Sequence, residues 1–334
     1  MLCRVAEDLF WMSRDVERAI STGRIIDVMM HLELDAGPER EVASSIWAAL
    51  TPGSQSDLDS SGDAMSLQRY LANEHDNPNS MAACLRRART NARGVRDTIS
   101  SEMWEQINRV YLSLVAPGFA VASDDNPQGY FSTVREGLHF FQGLVDSTLA
   151  RDEAWLFLSL GKYLERANAV TRIVAAEAPF LLGEEGTDDE AVRWLAILRT
   201  CGSGEAYARH YAMRVEPARV LEFLLLNPTF PQSVRFAIAS AHDALTALSG
   251  SNLTGERAPR PVRTLGRLRA QLEHSAVDEI LEDGLPVFLR EVLASIAASS
   301  NQIAQTYFQE GLAAASEPAA TRAAVIMAAH QQQQ

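Results

Sequence analysis

Leu2, Val5, Leu9, Met12, Val16, Ile20, Gly23, Ile26 and Met30 recur every three or four residues, the spacing that places side chains on one face of an α-helix. This stripe predicts a helix of about eight turns at the start of the chain. The same period predicts helices over 79–99, 101–115, 133–149, 153–178, 188–213, 217–225, 230–249, 260–282 and 286–310. Period-two alternation is almost absent, so the expected fold class is all-α. Thr133 with Glu136 and Thr187 with Glu190 have capping-box spacing, and Asn227-Pro228 pairs a cap residue with a first-turn proline. Breaks rich in Gly, Pro, Ser or Asp fall at 51–66, 122–129, 183–187 and 249–261. The first reads as a mobile insertion, and the Ala- and Gln-rich stretch 313–334 as a disordered tail.

The pattern also repeats at long range. Glu17-Arg18-Ala19 and Arg24-Ile25 return as Glu165-Arg166-Ala167 and Arg172-Ile173, 148 positions later. Pro78-Asn79-Ser80-Met81 has a counterpart in Pro231-Gln232-Ser233-Val234, 153 positions later. Two similar offsets predict a duplication, with halves of about 1–150 and 151–312. The simplest arrangement is a single helical-bundle domain over 1–312, with two similar halves related by a pseudo-twofold and the long helices packed together.

The 334 residues, 47% of them hydrophobic, are enough for a full core. A net charge of −13 argues against a sequence-independent grip on nucleic acid or on an anionic membrane. The acids concentrate, however, at Asp57, Asp59, Asp63, Asp124, Asp125, Glu184, Glu185, Asp188, Asp189 and Glu190, in predicted loops or helix starts, and the rest of the chain is close to neutral. Lys162 is the only lysine against 29 arginines, so no lysine-dependent phosphate loop or Schiff-base site exists unless it uses Lys162. Cys3, Cys84 and Cys201 are widely spaced and unpaired in pattern, and the opening residues carry charge throughout, which together predict a reducing, cytoplasmic setting. The histidines show no ligand spacing, and no metal site is expected.

Two charged faces stand out. At about 100° per residue, Arg4, Glu7, Trp11, Arg14 and Arg18 share a narrow arc opposite the apolar stripe of the first helix. Arg86, Arg89, Arg93 and Arg96 line a second face, with Glu102 and Trp104 opening the next helix. Such stripes are ordinarily solvated, but an aromatic set among arginines also suits an interface or pocket. Four guanidiniums in line need an anion: either internal glutamates such as Glu7, Glu17, Glu102 and Glu165, forming an ionic network, or an external carboxylate or phosphate. Glu17 and Glu165 each precede an arginine that would keep them ionised, which weakens any role as a base.

MLCRVAEDLFWMSRDVERA at 1–19, NARGVRDTISSEMWE at 91–105, RDEAWLFLSLGKYLERA at 151–167 and EFLLLNPTFPQSVRF at 222–236 resemble successive blocks of the bacterial alpha-E domain family. The likeness runs from residue 1 to about 310. It carries over Arg4, Glu7, Trp11, Arg14, Glu17, Arg18, Asn91, Arg93, Arg96, Glu102, Trp104, Arg151, Glu165 and Arg166; spacing adds Arg89, and Lys162 stands where the family has arginine. Cys3, Ser13, Asp15, Ile20 and Thr90 also depart from its pattern.

The resemblance implies an all-helical protein that occurs beside, or fused to, circularly permuted ATP-grasp proteins and transglutaminase-like proteins. It further implies a partner subunit in ATP-dependent amide-bond formation or peptide modification, holding an anionic peptide or small acid on its arginines. ATP and Mg would then belong to the partner, and this chain would bind no cofactor. Two alternatives stay open: an independent acyl-transfer or hydrolytic enzyme using Glu17, Glu102 or Glu165, and a purely structural helical scaffold.

Overall fold

The computed structural model describes residues 1–32, 64–74, 77–115, 127–181, 188–211, 215–250 and 258–308. Among them lie thirteen α-helices and no strand, as the missing two-residue period predicts. They are α1 (Cys3–Leu32), α2 (Ala64–Asn73), α3 (Met81–Gly94), α4 (Ser101–Val115), α5 (Pro127–Thr148), α6 (Glu153–Leu181) and α7 (Asp188–Thr200). Then follow α8 (Gly204–Tyr211), α9 (Pro217–Leu221), α10 (Val234–Leu248), α11 (Arg260–His274), α12 (Val277–Asp283) and α13 (Leu285–Ile303). Single π-helical turns, Glu222–Leu226 and Ala304–Phe308, continue α9 and α13.

The two longest helices form the centre. α1 packs along α6; α3 and α5 also pack on α1, while α10 and α13 pack on α6. Both are buried almost all round, through Leu9, Phe10, Met12, Val16 and Ile20 on α1 and Phe157, Leu160, Leu164, Ala167 and Val170 on α6. Each such Leu or Phe contributes roughly 1.5–3 kcal/mol by leaving water. The helices approach so closely at Gly161 that a methyl group there would overlap the carbonyl oxygen of Phe10. A glycine at this point sets the spacing that lets polar side chains on α1 and α6 reach one another.

Several predicted boundaries move, each for a local reason. The helix expected over 79–99 runs from Met81 to Gly94, because Ser80 caps it by accepting from the Ala83 amide at 3.2 Å. The start expected at Thr133 lies inside α5, where the Thr133 hydroxyl donates to the Gly129 carbonyl at 2.8 Å; the helix opens on Pro127 instead. Asn227 does not cap a helix: its Oδ1 accepts from the amides of Thr229 and Phe230 at 2.9 Å, closing a turn, and Ser233 caps α10.

Two long predicted helices prove to be pairs. The stretch 188–213 breaks at Gly202, whose φ of 65° is left-handed, and 260–282 breaks at extended backbone through Ser275 and Ala276. The loop predicted at 51–66 gives way to α2 from Ala64, a helix that the periodicity does not announce. Residues 51–63, 183–187, 251–257 and 313–334, with the Thr187 cap, lie outside the described residues.

Candidate functional site

The α1–α6 contact buries charge as well as hydrocarbon. Glu165 on α6 accepts from Arg14 Nε at 2.7 Å and from Arg18 Nε at 2.8 Å, both from α1. In the opposite sense, Glu17 on α1 accepts from Arg166 of α6, Nε to Oε1 at 2.7 Å and Nη2 to Oε2 at 3.1 Å. The Gln142 amide of α5 completes the Glu17 carboxylate at 2.6 Å, and Arg166 Nη1 donates to the Pro231 carbonyl at 3.1 Å. The two Glu-Arg dipeptides therefore exchange partners: each glutamate is held by the arginine, or arginines, of the other helix.

The arginines around Glu165 are themselves fixed. Arg14 Nη1 donates to Ser300 Oγ at 3.2 Å, and its guanidinium lies 5.1 Å from the Trp11 ring and 5.5 Å from the Phe10 ring. Next to Arg18 sits Asp15, gripped by Arg87 from α3, with Arg87 Nη2 to Oδ1 at 2.6 Å. Neither Asp15 nor Gln142 stands out as a site residue in the sequence. Asp15 does give a signal, since an acid stands there in place of the aromatic expected from the resemblance.

The electrostatics follow from this pairing. Burial by itself would raise the Glu165 carboxyl, but Arg14 and Arg18 outweigh it and bring it down to about 2. Glu17 behaves likewise: burial opposes the charge, Arg166 prevails, and the net direction is down. At Asp15 burial wins over Arg87 and Arg18, and the carboxyl rises. Cys84 and Cys201 are pushed up to about 12 by burial, which makes both poor nucleophiles.

A pH dependence follows. Glu165 titrates at about 2 in the folded protein against an ordinary value of 4.5. Its contribution is full above pH 4.5 and is lost as pH falls toward 2. Asp15, with a raised folded value, acts in the opposite sense, so the comparison that isolates Glu165 is with Glu165→Gln. Urea midpoints from pH 7 downward should fall more steeply in the parent than in the variant between pH 4.5 and 2.

The remaining predicted residues lie elsewhere. Arg93 and Arg96 are exposed at the C-terminal end of α3 and in the turn after it, as is Arg86 one helical stretch before them. Trp104 of α4 lies beneath this face, 5.0 Å from the Arg96 guanidinium and 5.7 Å from that of Arg89. Arg89 donates to Asn108 Oδ1 at 2.6 Å and stacks 5.0 Å from Tyr111. Asn91 is half-buried and lies about 200° around α3 from Arg89 and Arg93, on the other side of the helix, and Glu102 is exposed on the first turn of α4. Arg4 and Glu7 are exposed on the first turns of α1. Arg151 pairs with Asp146 at 3.1 Å and stacks on Trp155, while Lys162 lies 3.9 Å from Asp146 and 4.8 Å from the Tyr163 ring.

The arc that spacing assigns to one face, Arg4 to Arg18, thus passes from solvent into the core, where Glu165 of α6 and Ser300 of α13 meet its later turns. Arg14 and Arg18 do not converge with Arg93 and Arg96. Among the described residues no group of three His, Cys, Asp or Glu is placed to hold a metal ion, and no helix is long and apolar enough to cross a membrane.

Among the described residues the protein is of the all-helical class, with two buried Glu-Arg dipeptides exchanged between its longest helices. The chain belongs to the alpha-E family, described as a predicted alpha-helical domain with a conserved ER motif, which matches residues 1–308. Among its Glu-Arg dipeptides, those at 17–18 and 165–166 are the two inside described helices. Similar proteins are an uncharacterized protein of Mycobacterium bovis and two of Mycobacterium tuberculosis strains, each 26% identical over 325 residues. The match covers 90% of this chain and 36% of each relative, so the chain spans little more than a third of their length. No solved structure matches.

Proposed function

We propose that this chain is a non-ATPase partner of an ATP-grasp-type ligase, and that it holds an anionic peptide or small acid for amide-bond formation or peptide modification. The observation that carries the binding part is the set of exposed arginines Arg86, Arg93 and Arg96, the last of which lies over Trp104. These guanidiniums are open to solvent, whereas Arg14, Arg18 and Arg166 are occupied by glutamates. Arg89, held by Asn108 and Tyr111, lies 5.7 Å from the same ring. A planar guanidinium suits two-oxygen anions. The ligase part rests on the family resemblance, with ATP, Mg and any transglutaminase-like protein on the partner's side. The relatives' extra length leaves room for a second activity in the same polypeptide.

On this reading the buried set of Arg14, Glu17, Arg18, Glu165 and Arg166 positions the two long helices and does not itself meet substrate. The reciprocal pairing, together with the matching Ser80 and Ser233 caps, supports two similar halves about a pseudo-twofold within one domain. It also favours the scaffold alternative for the interior alone. The stand-alone acid–base enzyme gains nothing from Glu17 and Glu165, because carboxylates held ionised by arginines accept protons poorly.

Binding of a fluorescent glutamate-rich peptide tests the exposed face. Arg93→Ala and Arg96→Ala should each weaken binding by roughly 10-fold or more, since a charge-assisted hydrogen bond is worth about 1.5–3 kcal/mol. The urea midpoint should barely move, as expected for exposed positions. Equal loss of binding and fold would sink the assignment. Affinity capture from the native host should recover an ATP-grasp-type protein, and recovery of none would remove the ligase part.

A further inference from the structure

Among the described residues the buried carboxylates are all matched: Asp15 by Arg87, Glu17 by Arg166, Glu165 by Arg14 and Arg18, and Glu177 by Arg193. Arg24 makes an ion pair with none of these. It lies on α1, half-buried, seven positions past Glu17. Its Nη1 donates to the neutral Gln232 Oε1 at a long 3.4 Å, and it pairs with no carboxylate among the described residues.

The surroundings add positive charge. α5 sets Arg135, His139 and Gln142 on one face at i, i+4 and i+7, alongside Asp27, Arg24 and Glu17 of α1. The outer rungs are complementary, with Arg135 Nη1 at 3.0 Å from Asp27 and Gln142 bonded to Glu17. The middle rung sets His139 beside Arg24, and neither supplies a negative charge to the other. Crowding by α1 on its inner side lowers the imidazole of His139, whose outer edge is exposed, and Arg24, Arg135 and Arg166 lower it further against Glu17. Burial likewise lowers the Arg24 guanidinium, and Glu17 offsets this only in part.

The fold nevertheless makes room for this cation. Gly202, in the turn between α7 and α8, would bring a Cβ to 2.9 Å from Arg24 Cζ, so the absent side chain leaves the guanidinium its place. The nearby acid, Glu17, is already held by Arg166 and Gln142, and a half-buried charge with no carboxylate in contact costs folding free energy. An incoming anion would supply the missing partner, and exposed His139 leaves an approach from solvent.

We propose that Arg24, His139 and Gln232 form a binding site for a small oxyanion, a carboxylate or phosphate group, at the junction of α1, α5 and the start of α10. The guanidinium offers two parallel donors, the Gln232 amide nitrogen a neutral one, and His139 a third when protonated. The site is separate from the Arg93–Arg96 face and stands whether or not that face binds a peptide.

The test follows the His139 imidazole by NMR while inorganic phosphate, and separately acetate, is added at constant ionic strength with chloride as counter-ion. The expected result is a saturable shift, with the imidazole titrating at higher pH once the anion is bound. Arg24→Gln should weaken the affinity by roughly 10- to 100-fold. Its thermal midpoint in anion-free buffer should equal or exceed that of the parent, because an unmatched charge is gone. His139→Ala, at an exposed position, should lose much of any phosphate-dependent rise in midpoint. Saturation by phosphate alone assigns a phosphate group, and saturation by acetate alone a carboxylate. A non-saturable shift, an unchanged affinity in Arg24→Gln, or collapse of the fold in that variant with an undiminished phosphate response in His139→Ala would each overturn the proposal.

Discussion

Glu165→Ala should be among the most damaging single substitutions in the chain, lowering the free energy of unfolding by about 3–5 kcal/mol. The reason is less the lost contact than what stays behind. Arg14 and Arg18 both direct Nε at this carboxylate, at 2.7 and 2.8 Å, and Arg14 is buried between helices that leave it little access to water. Without Glu165, Arg14 keeps only Ser300 and two aromatic rings, and Arg18 keeps Asp15 at 3.8 Å. Urea unfolding measures the loss. A triple variant separates stranded charge from missing contact: Arg14→Met, Arg18→Leu and Glu165→Leu together remove all three charges while keeping volume, and should recover most of the stability. A single Glu165→Ala variant within about 1 kcal/mol of the parent would show that solvent reaches these guanidiniums and that the pairing is not a buried one.

Gly161→Ala should cost about 2–3 kcal/mol, the upper part of the range usual for overpacking. The added methyl meets the backbone carbonyl of Phe10, which no rotamer change can move aside. Relief requires α1 and α6 to separate by a fraction of an ångström, and that separation also lengthens the Arg14–Glu165 and Arg166–Glu17 bonds. The effect should therefore couple to Glu165→Gln in a double-mutant cycle, whereas independent sites would add. Gly143→Ala is the matched control: it lies in α5 with nothing within 4 Å of the new methyl, and should stabilise by about 0.5–1 kcal/mol through helix propensity alone.

The parts of the molecule that are legible from sequence are those where one physical signal dominates. The first helix can be read because its apolar positions keep one period over thirty residues, and the structure runs it from Cys3 to Leu32. The Glu-Arg-Ala repeat leads to the right residues, and these meet at the α1–α6 contact. What the pattern cannot provide is depth. A buried stripe and a solvated one have the same angular spacing, so Arg14 and Arg4 look alike until Glu165 and Ser300 are brought to one and not the other. Partners more than a hundred residues away, such as Gln142 for Glu17, have no local trace. Arg24 appears in the sequence only as half of a repeat; its want of a counter-ion depends on where Gln232, His139 and Gly202 come to rest. Boundaries move where one side chain, Ser80 or Ser233, takes the cap in place of its neighbours.

The exchange between the Glu-Arg dipeptides also bears on how the molecule comes apart. Because α1 carries the acid that Arg166 needs and α6 the acid that Arg14 and Arg18 need, peeling either helix away exposes an unmatched charge on the one that stays. Partial opening along this seam is penalised from both sides, so these helices should melt as one cooperative unit, with their central amides exchanging hydrogen last and at the same rate. Polypeptides ending and beginning near residue 150 should each remain largely unfolded alone and fold on mixing, each supplying the charges that the other lacks.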